Sequence, residues 1–248
     1  MSTAVSSRAT LGVIVPSTNV VVEAEYNWMR PPGVSWHTGR IWIKNEALDD
    51  DDVFESFLED LRAETGRAIR DVVTCKPDYL VMGMSAETFW GGAAGNEAFE
   101  AWVQEQSGGL RVSTGAAACD AALKKFGARK IGVITPYQPV ADAQVRGFFT
   151  DLGYEVGQVH GLKCPTATAI ADVTAQEVRA AFLAVDAPDV DVLVQAGTNL
   201  AAVTVAAELE RELGKPVIAI NAATVWHALR ANGIHDHIIG FGSLFEKF

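Results

Sequence analysis

Short runs of β-branched and aliphatic residues alternate along the chain with longer stretches whose apolar positions recur at helical spacing. That is the pattern of a doubly wound, mostly parallel α/β sheet. Leu11–Val15 is an apolar run closed by Pro16 and predicts an opening strand. From Val53 to Val73, Phe54, Phe57, Leu58, Leu61, Ile69 and Val72 fall on one face of an amphipathic helix. Asp78–Met84 predicts the next buried strand, Asn96–Gln106 a helix and Leu110–Ser113 a short strand.

The second half restarts the same programme. Leu11-Gly12-Val13-Ile14-Val15-Pro16 returns 120 residues later as Ile131-Gly132-Val133-Ile134-Thr135-Pro136, and Asp78-Tyr79-Leu80-Val81 returns 113 residues later as Asp191-Val192-Leu193-Val194. A last strand, Val217–Asn221, leads into a helix through Trp226 and Leu229. Repeats of this length are too long for a solenoid, so the expectation is two Rossmann-like (flavodoxin-like) parallel-sheet domains related by a pseudo-twofold axis. The chain is expected to cross near Ser113–Gly115 and again near Asn221. The first domain would then be residues 1–115 with 222–248, and the second residues 116–221. Ligands of open α/β sheets bind beyond the carboxyl ends of the strands, which puts the active site in the cleft between the halves.

Composition narrows the partners. The 248 residues are 49% hydrophobic and 21% charged with a formal net charge of −11, which repels nucleic acid and anionic membrane. Met1–Thr10 has no apolar core of the kind a secretory leader needs, and no apolar run approaches the ~20 residues that span a bilayer. Cys75, Cys119 and Cys164 are odd in number and far apart, which fits a reducing cytoplasm and argues against a disulfide framework or zinc site. A homo-oligomer is compatible with all of this.

Four strand-end loops carry the candidate chemistry. Pro16-Ser17-Thr18-Asn19 offers three side-chain donors before a helix start, either a carboxylate cradle or a plain helix cap. In Gly83-Met84-Ser85-Ala86-Glu87-Thr88-Phe89-Trp90, Ser85 can donate, Phe89 and Trp90 can wall off water, and Glu87 is the acid that could act as a base. The alternative makes Phe89 and Trp90 core and Glu87 an N-terminal helix charge. Thr135-Pro136-Tyr137 brings a phenol to the strand end equivalent to that of Ser17, and Gly197-Thr198-Asn199 offers a second hydroxyl and amide.

These segments carry a resemblance. Gly-Val-Ile-Val-Pro-Ser-Thr-Asn with Glu23, Thr135-Pro136-Tyr137, and Met84-Ser85 with Phe89 resemble the maleate cis-trans isomerase and arylmalonate decarboxylase branch of the aspartate/glutamate racemase superfamily. The resemblance covers nearly the whole chain. It implies that Asn19, Ser85 and Tyr137 bind a carboxylate, that Ser17, Thr18, Met84, Gly197, Thr198 and Asn199 line the same site, and that neither metal nor organic cofactor is needed. It also exposes a departure. The relatives place a cysteine after one or both equivalent strands, and those positions are Met84 and Gly197 here. A further substrate-binding Asn of the isomerases falls near Ala167. Among the cysteines present, only Cys164, in a loop before Pro165-Thr166, could reach the cleft. None of the five histidines shows ligand spacing; His160 is a candidate base only if it faces the cleft.

The resulting expectation is a cofactor-independent isomerase or lyase acting on a small (di)carboxylate, with Glu87, Tyr137 and Cys164 as candidate proton donors. The rivals are a carboxylate-binding protein that lost catalysis with its cysteines, and a hydrolase or hydratase in which Glu87 activates water.

Overall fold

The computed structural model describes residues 4–45 and 51–248, with side chains from residue 61 onward in the second stretch. The first half runs β1 (Ala9–Pro16), α1 (Val22–Trp28), β2 (Val34–Ile41), α2 (Asp51–Val72), β3 (Tyr79–Met82), α3 (Ala86–Phe89), α4 (Gly92–Gln106) and β4 (Val112–Ser113). After α5 (Gly115–Phe126) the second half runs β5 (Lys130–Thr135), α6 (Pro139–Asp151), β6 (Glu155–Gly161), α7 (Ala175–Val185), β7 (Val192–Gln195), α8 (Val203–Leu213) and β8 (Val217–Ala219). Helices α9 (Ile220–Ala231) and α10 (Ser243–Lys247) complete the chain.

Two parallel sheets form among these strands, ordered β2-β1-β3-β4 and β6-β5-β7-β8. The identical order, with β1 and β5 central, is the duplication expected from the repeat. Ladder register makes the equivalence residue-specific: Ile14 pairs with Met82 in one sheet and Ile134 with Gln195 in the other. Two residues further on, Met84 and Gly197 are therefore counterparts.

Parallel strands are covered on both faces, which is why they read as unbroken apolar runs. Leu11, Val13 and Val15 of β1 join a core shared with β5, β7, α5 and α9, whereas Ile14 faces outward to Leu61, Ile69 and the other α2 residues. The shared core makes the two halves one packing unit. Helix α5 lies against α9, and α9 also packs on β3 and β4, where His227 Nδ1 meets Ser113 Oγ at 2.7 Å and Arg111 donates to Ala231 O at 3.1 Å. Among the described residues no helix is long and apolar enough to cross a membrane.

Several boundaries differ from the sequence expectation. β3 begins at Tyr79 because the Asp78 carboxylate accepts the Thr10 amide at 2.9 Å and ends the ladder there. α4 starts at Gly92, four residues early. The last strand stops at Ala219, and Ile220 and Asn221 already belong to α9. The predicted helix face at Phe54, Phe57 and Leu58 lies outside the residues whose side chains are described.

The repeated Gly12 and Gly132 both sit under a covering helix, but with unequal clearance. A Cβ at Gly132 would lie 2.4 Å from the Val185 carbonyl oxygen, whereas at Gly12 the nearest atom is the flexible end of Leu80 at 2.8 Å. Backbone cannot yield as a side chain does, so Gly132→Ala is expected to lose about 1–3 kcal/mol and Gly12→Ala distinctly less. Thermal melts of the two variants, at roughly 2–4 °C per kcal/mol for a chain of this size, check the difference.

Candidate active site

The carboxyl ends of β1, β3, β5 and β7 converge on one cavity of about 80 Å³ between the halves. Pro16, Thr18 and Asn19 come from the first loop, Met84, Ser85 and Ala86 from the second, Pro136 and Tyr137 from the third, and Gly197, Thr198 and Asn199 from the fourth. Ile43, Leu61, Ala167 and Ile170 complete an apolar wall. Among the described residues that line it, none carries a formal charge.

Each polar group is held by a specific bond. Ser85 Oγ lies 2.6 Å from the Tyr137 hydroxyl and accepts the Thr198 N–H at 3.0 Å, so the second, third and fourth loops meet at one oxygen. Thr198 Oγ1 donates to Gly83 O at 3.1 Å. The Tyr137 amide donates to Thr135 Oγ1 at 3.0 Å, and Thr135 in turn donates to Asp142 Oδ1, which fixes the phenol's backbone. Burial raises the Tyr137 pKa well above the ordinary phenol value, so the resting site holds it as the neutral phenol. The Thr198 amide takes one of the two Ser85 lone pairs, and of the serine and tyrosine hydroxyls one donates to the other while the second keeps its proton for another partner.

Asn19 has two jobs. Its Oδ1 accepts the Val21 and Val22 amides at 3.0 Å each, holding the start of α1, while Nδ2 points to Thr198 Oγ1 at 3.5 Å and keeps one N–H for a ligand. Arg40 pins the same loop by donating to Pro16 O at 3.1 Å and Asn19 O at 2.7 Å and by pairing with Glu23. The cap reading of this loop therefore describes Asn19, whose Nδ2 also lies at the cavity.

Other candidates land elsewhere. Ser17 is exposed, and its hydroxyl accepts the Ile43 amide at 3.1 Å outside the cavity. Asn199 lines the cavity with most of its amide engaged: Oδ1 accepts Val20 N at 3.0 Å and Nδ2 donates one N–H to Ala167 O at 2.9 Å, which leaves the other, as in Asn19. Glu87 turns away into a second hollow with Arg62 and Trp90, where Arg62 Nε donates to Oε1 at 2.5 Å and burial raises its pKa. Phe89 does not wall the site; it packs edge-on to Phe148 at 5.2 Å in the shared core. Cys164 is absent from the cavity wall, and burial pushes its thiol up, away from the thiolate. Cys75 is exposed and Cys119 fully buried in α5, so no thiol lines the cavity. His160 does not line it either.

Gly197 is not a vacant cysteine seat. Its φ of 155° and the 2.4 Å separation between a built Cβ and Pro136 Cδ mean that any side chain there would displace Pro136. Sequence reasoning missed the roof as well. Asn45 and Thr168 bridge the halves over the cavity through paired bonds of 2.7 and 3.1 Å, and Ile43 and Leu61 reach it from β2 and α2. The position of Ile43 just past a strand's carboxyl end was the one available signal.

The architecture of two four-stranded parallel sheets with flanking helices is shared with solved structures. The structure superposes on the Nocardia farcinica maleate cis-trans isomerase variant with a covalently bound succinylcysteine intermediate at a TM-score of 0.87, with 22% identity, covering 96% of this chain and 98% of that one. An arylmalonate decarboxylase structure gives 0.79 with 21% identity, covering 96% and 100%. Among sequence relatives, the arylmalonate decarboxylase of Bordetella bronchiseptica is 28% identical over 249 residues, 98% of each chain, and the maleate isomerase of N. farcinica 24% identical over 246 residues, 96% of this chain and 95% of the relative. The arylmalonate decarboxylase family matches residues 11–245, and the chain belongs to that family. It is thus an enzyme of the isomerase or decarboxylase type, on the branch of the racemase superfamily that its motifs resemble.

If a substrate carboxylate docks on the Tyr137 hydroxyl, Tyr137→Phe should cost about 1.5–3 kcal/mol, or roughly ten- to a hundredfold in kcat/KM. The melting temperature should hold. Asn19→Ala should also lower the melting point, because the helix start loses about 1 kcal/mol. Asn19→Asp keeps that cap while placing an acceptor where the donor was, and should weaken anion binding with the melt preserved. Steady-state kinetics beside thermal melts of the three variants check this.

Proposed function

We propose that this enzyme stabilises an enediolate on a small carboxylate and works as a carbon–carbon lyase of the decarboxylase kind. The observation that carries the reading is the Ser85–Tyr137–Thr198 cluster in an uncharged cavity whose wall contains no thiol. Hydroxyl donors aimed at developing charge are worth most where water is excluded, and Ile43, Leu61, Met84 and Ile170 supply that exclusion.

In the proposed step the retained carboxylate sits on Ser85 and Tyr137, and the departing carboxylate lies toward Thr18 and the free N–H of Asn19. The bond to the departing carbon breaks, CO₂ leaves, and the electron pair passes into the retained carboxylate as an enediolate held by the two hydroxyls. Of the three proton donors expected from sequence, only Tyr137 lines the cavity. Its hydroxyl then turns from the enediolate oxygen to the carbanionic carbon, delivers its proton there and is reprotonated from solvent. Glu87 as a water-activating base is disfavoured by its position in the other hollow. The crossing of α9 onto β3 and β4 supports reading residues 1–115 with 222–248 as one domain and 116–221 as the other.

The test is turnover on malonate, methylmalonate, phenylmalonate and maleate, followed as CO₂ release and fumarate formation, before and after alkylation with iodoacetamide. CO₂ release from a malonate that survives alkylation is the expected result. Inactivation traced to Cys164 and prevented by substrate would overturn the thiol-independent step, and fumarate as the sole product would overturn the decarboxylation.

A further inference from the structure

A second carboxylate, remote from the reacting atoms, is wired to the site. Glu25 of α1 is only 2% exposed. Its Oε1 accepts the Ala202 and Val203 amides at 3.1 Å each, and its Oε2 accepts Asn221 Nδ2 at 2.6 Å. The same Asn221 amino group donates to Thr198 O at 3.0 Å. Glu25 belongs to the first half, while its donors stand at the start of α8 and in the first turn of α9. Desolvation raises its pKa to about 7 despite the three donors.

The fourth loop is thus suspended between two anchors. At one end the Thr198 N–H rests on Ser85; at the other, Thr198 O is held by Asn221, and Ala202 and Val203 are held by Glu25. We infer that Glu25 is a positioning residue, which sets the orientation of the Thr198 peptide and through it the direction of the Ser85 and Tyr137 hydroxyls. The inference rests on the carboxylate-site reading above.

Hydrogen-bond polarity makes the role specific to an acceptor. Asn221 must present its amino group to both Glu25 Oε2 and Thr198 O, and it can do so only if position 25 accepts. Glutamine there still receives the Ala202 and Val203 amides, but it sets an amino group against that of Asn221. Turning the Asn221 amide over relieves this and places its oxygen against Thr198 O, which releases the Thr198 peptide. Nearly isosteric replacement therefore disturbs the site while leaving packing almost unchanged. The other interface between the halves supplies a reference: Asp151 Oδ2 accepts the Ala93 amide at 3.1 Å near the start of α4, exposed and with no link to the cavity.

The experiment compares wild type, Glu25→Gln and Asp151→Asn by hydrogen–deuterium exchange, thermal melting, and calorimetric titration with malonate, phenylmalonate and maleate. In Glu25→Gln, exchange over residues 197–203 is expected to rise at least about tenfold and affinity for the bound acid to fall by about the same factor. Asp151→Asn should change neither. Should Glu25→Gln fail to fold, Glu25→Asp, which keeps an acceptor one methylene shorter, is measured in the same way. Exchange over 197–203 equal to wild type would overturn the inference, as would equal losses of affinity and melting point in the Gln and Asn variants. If the wild type binds none of the three acids, the site reading has failed, and the exchange comparison alone decides the role of Glu25.

Glu25 also makes a pH prediction. Folding raises its pKa from 4.5 to about 7, so the folded state holds the proton more tightly. The stability from that proton is fully present below about pH 4.5 and is lost as pH rises through 7. Between pH 5 and pH 8 wild type should lose more stability than Glu25→Gln. Denaturant midpoints at the two pH values check it; parallel losses would place the Glu25 pKa near its ordinary value.

Discussion

The site depends on hydrogen bonds that cross from one half of the molecule to the other. Ser85 is held in place at the cavity by the Thr198 amide, which comes from the opposite sheet and donates to its hydroxyl oxygen. Val20 is tied to Asn199, Asn45 to Thr168, and Glu25 to the start of α8, each pair bridging the halves. The shared apolar core makes these bonds affordable. With Leu11, Val13 and Val15 packed against the second half's elements, the lobes are already in place, and each polar bond needs to order only its own loop.

Duplication gave two sets of strand-end loops, and the site uses them unequally. The second and third loops supply the hydroxyls that can face a ligand. The first and fourth spend most of their polarity holding the chain: Asn19 on the start of α1, and Asn199 on Val20 and Ala167. The result is a compact donor cluster against an apolar wall. In that wall the matching ends of β3 and β7 carry Met84 and, packed on Pro136, Gly197.

The fold was legible in sequence because its signals are local or repeated. The central strands β1, β3, β5 and β7 announced themselves as apolar runs, whereas β2 and β6 at the sheet edges carry polar residues and did not, and the 120- and 113-residue offsets were reproduced by the ladder registers. Boundaries slipped where side chains cap ladders or helices, as Asp78 does for β3. Of the expected site, Thr18, Asn19, Met84, Ser85, Tyr137, Gly197, Thr198 and Asn199 do line one cavity, since strand-end position is itself a sequence property.

What the sequence could not decide was direction and partnership. Glu87 and Ser85 are two residues apart, yet one faces the cavity and the other a separate hollow, because the chain turns into α3 between them. Phe89 reads equally well as a site wall or as core until Phe148 is seen to meet it. Glu25 gives no sign in one dimension, because its donors lie 177 to 196 residues away. Sequence alone determined the duplicated α/β fold and the strand-end loops that line the cavity. Only tertiary structure decided which side chains in those loops are spent on holding the molecule together, since a hydrogen bond's partner is chosen by proximity in space and a buried donor, once paired, has nothing left to offer a ligand.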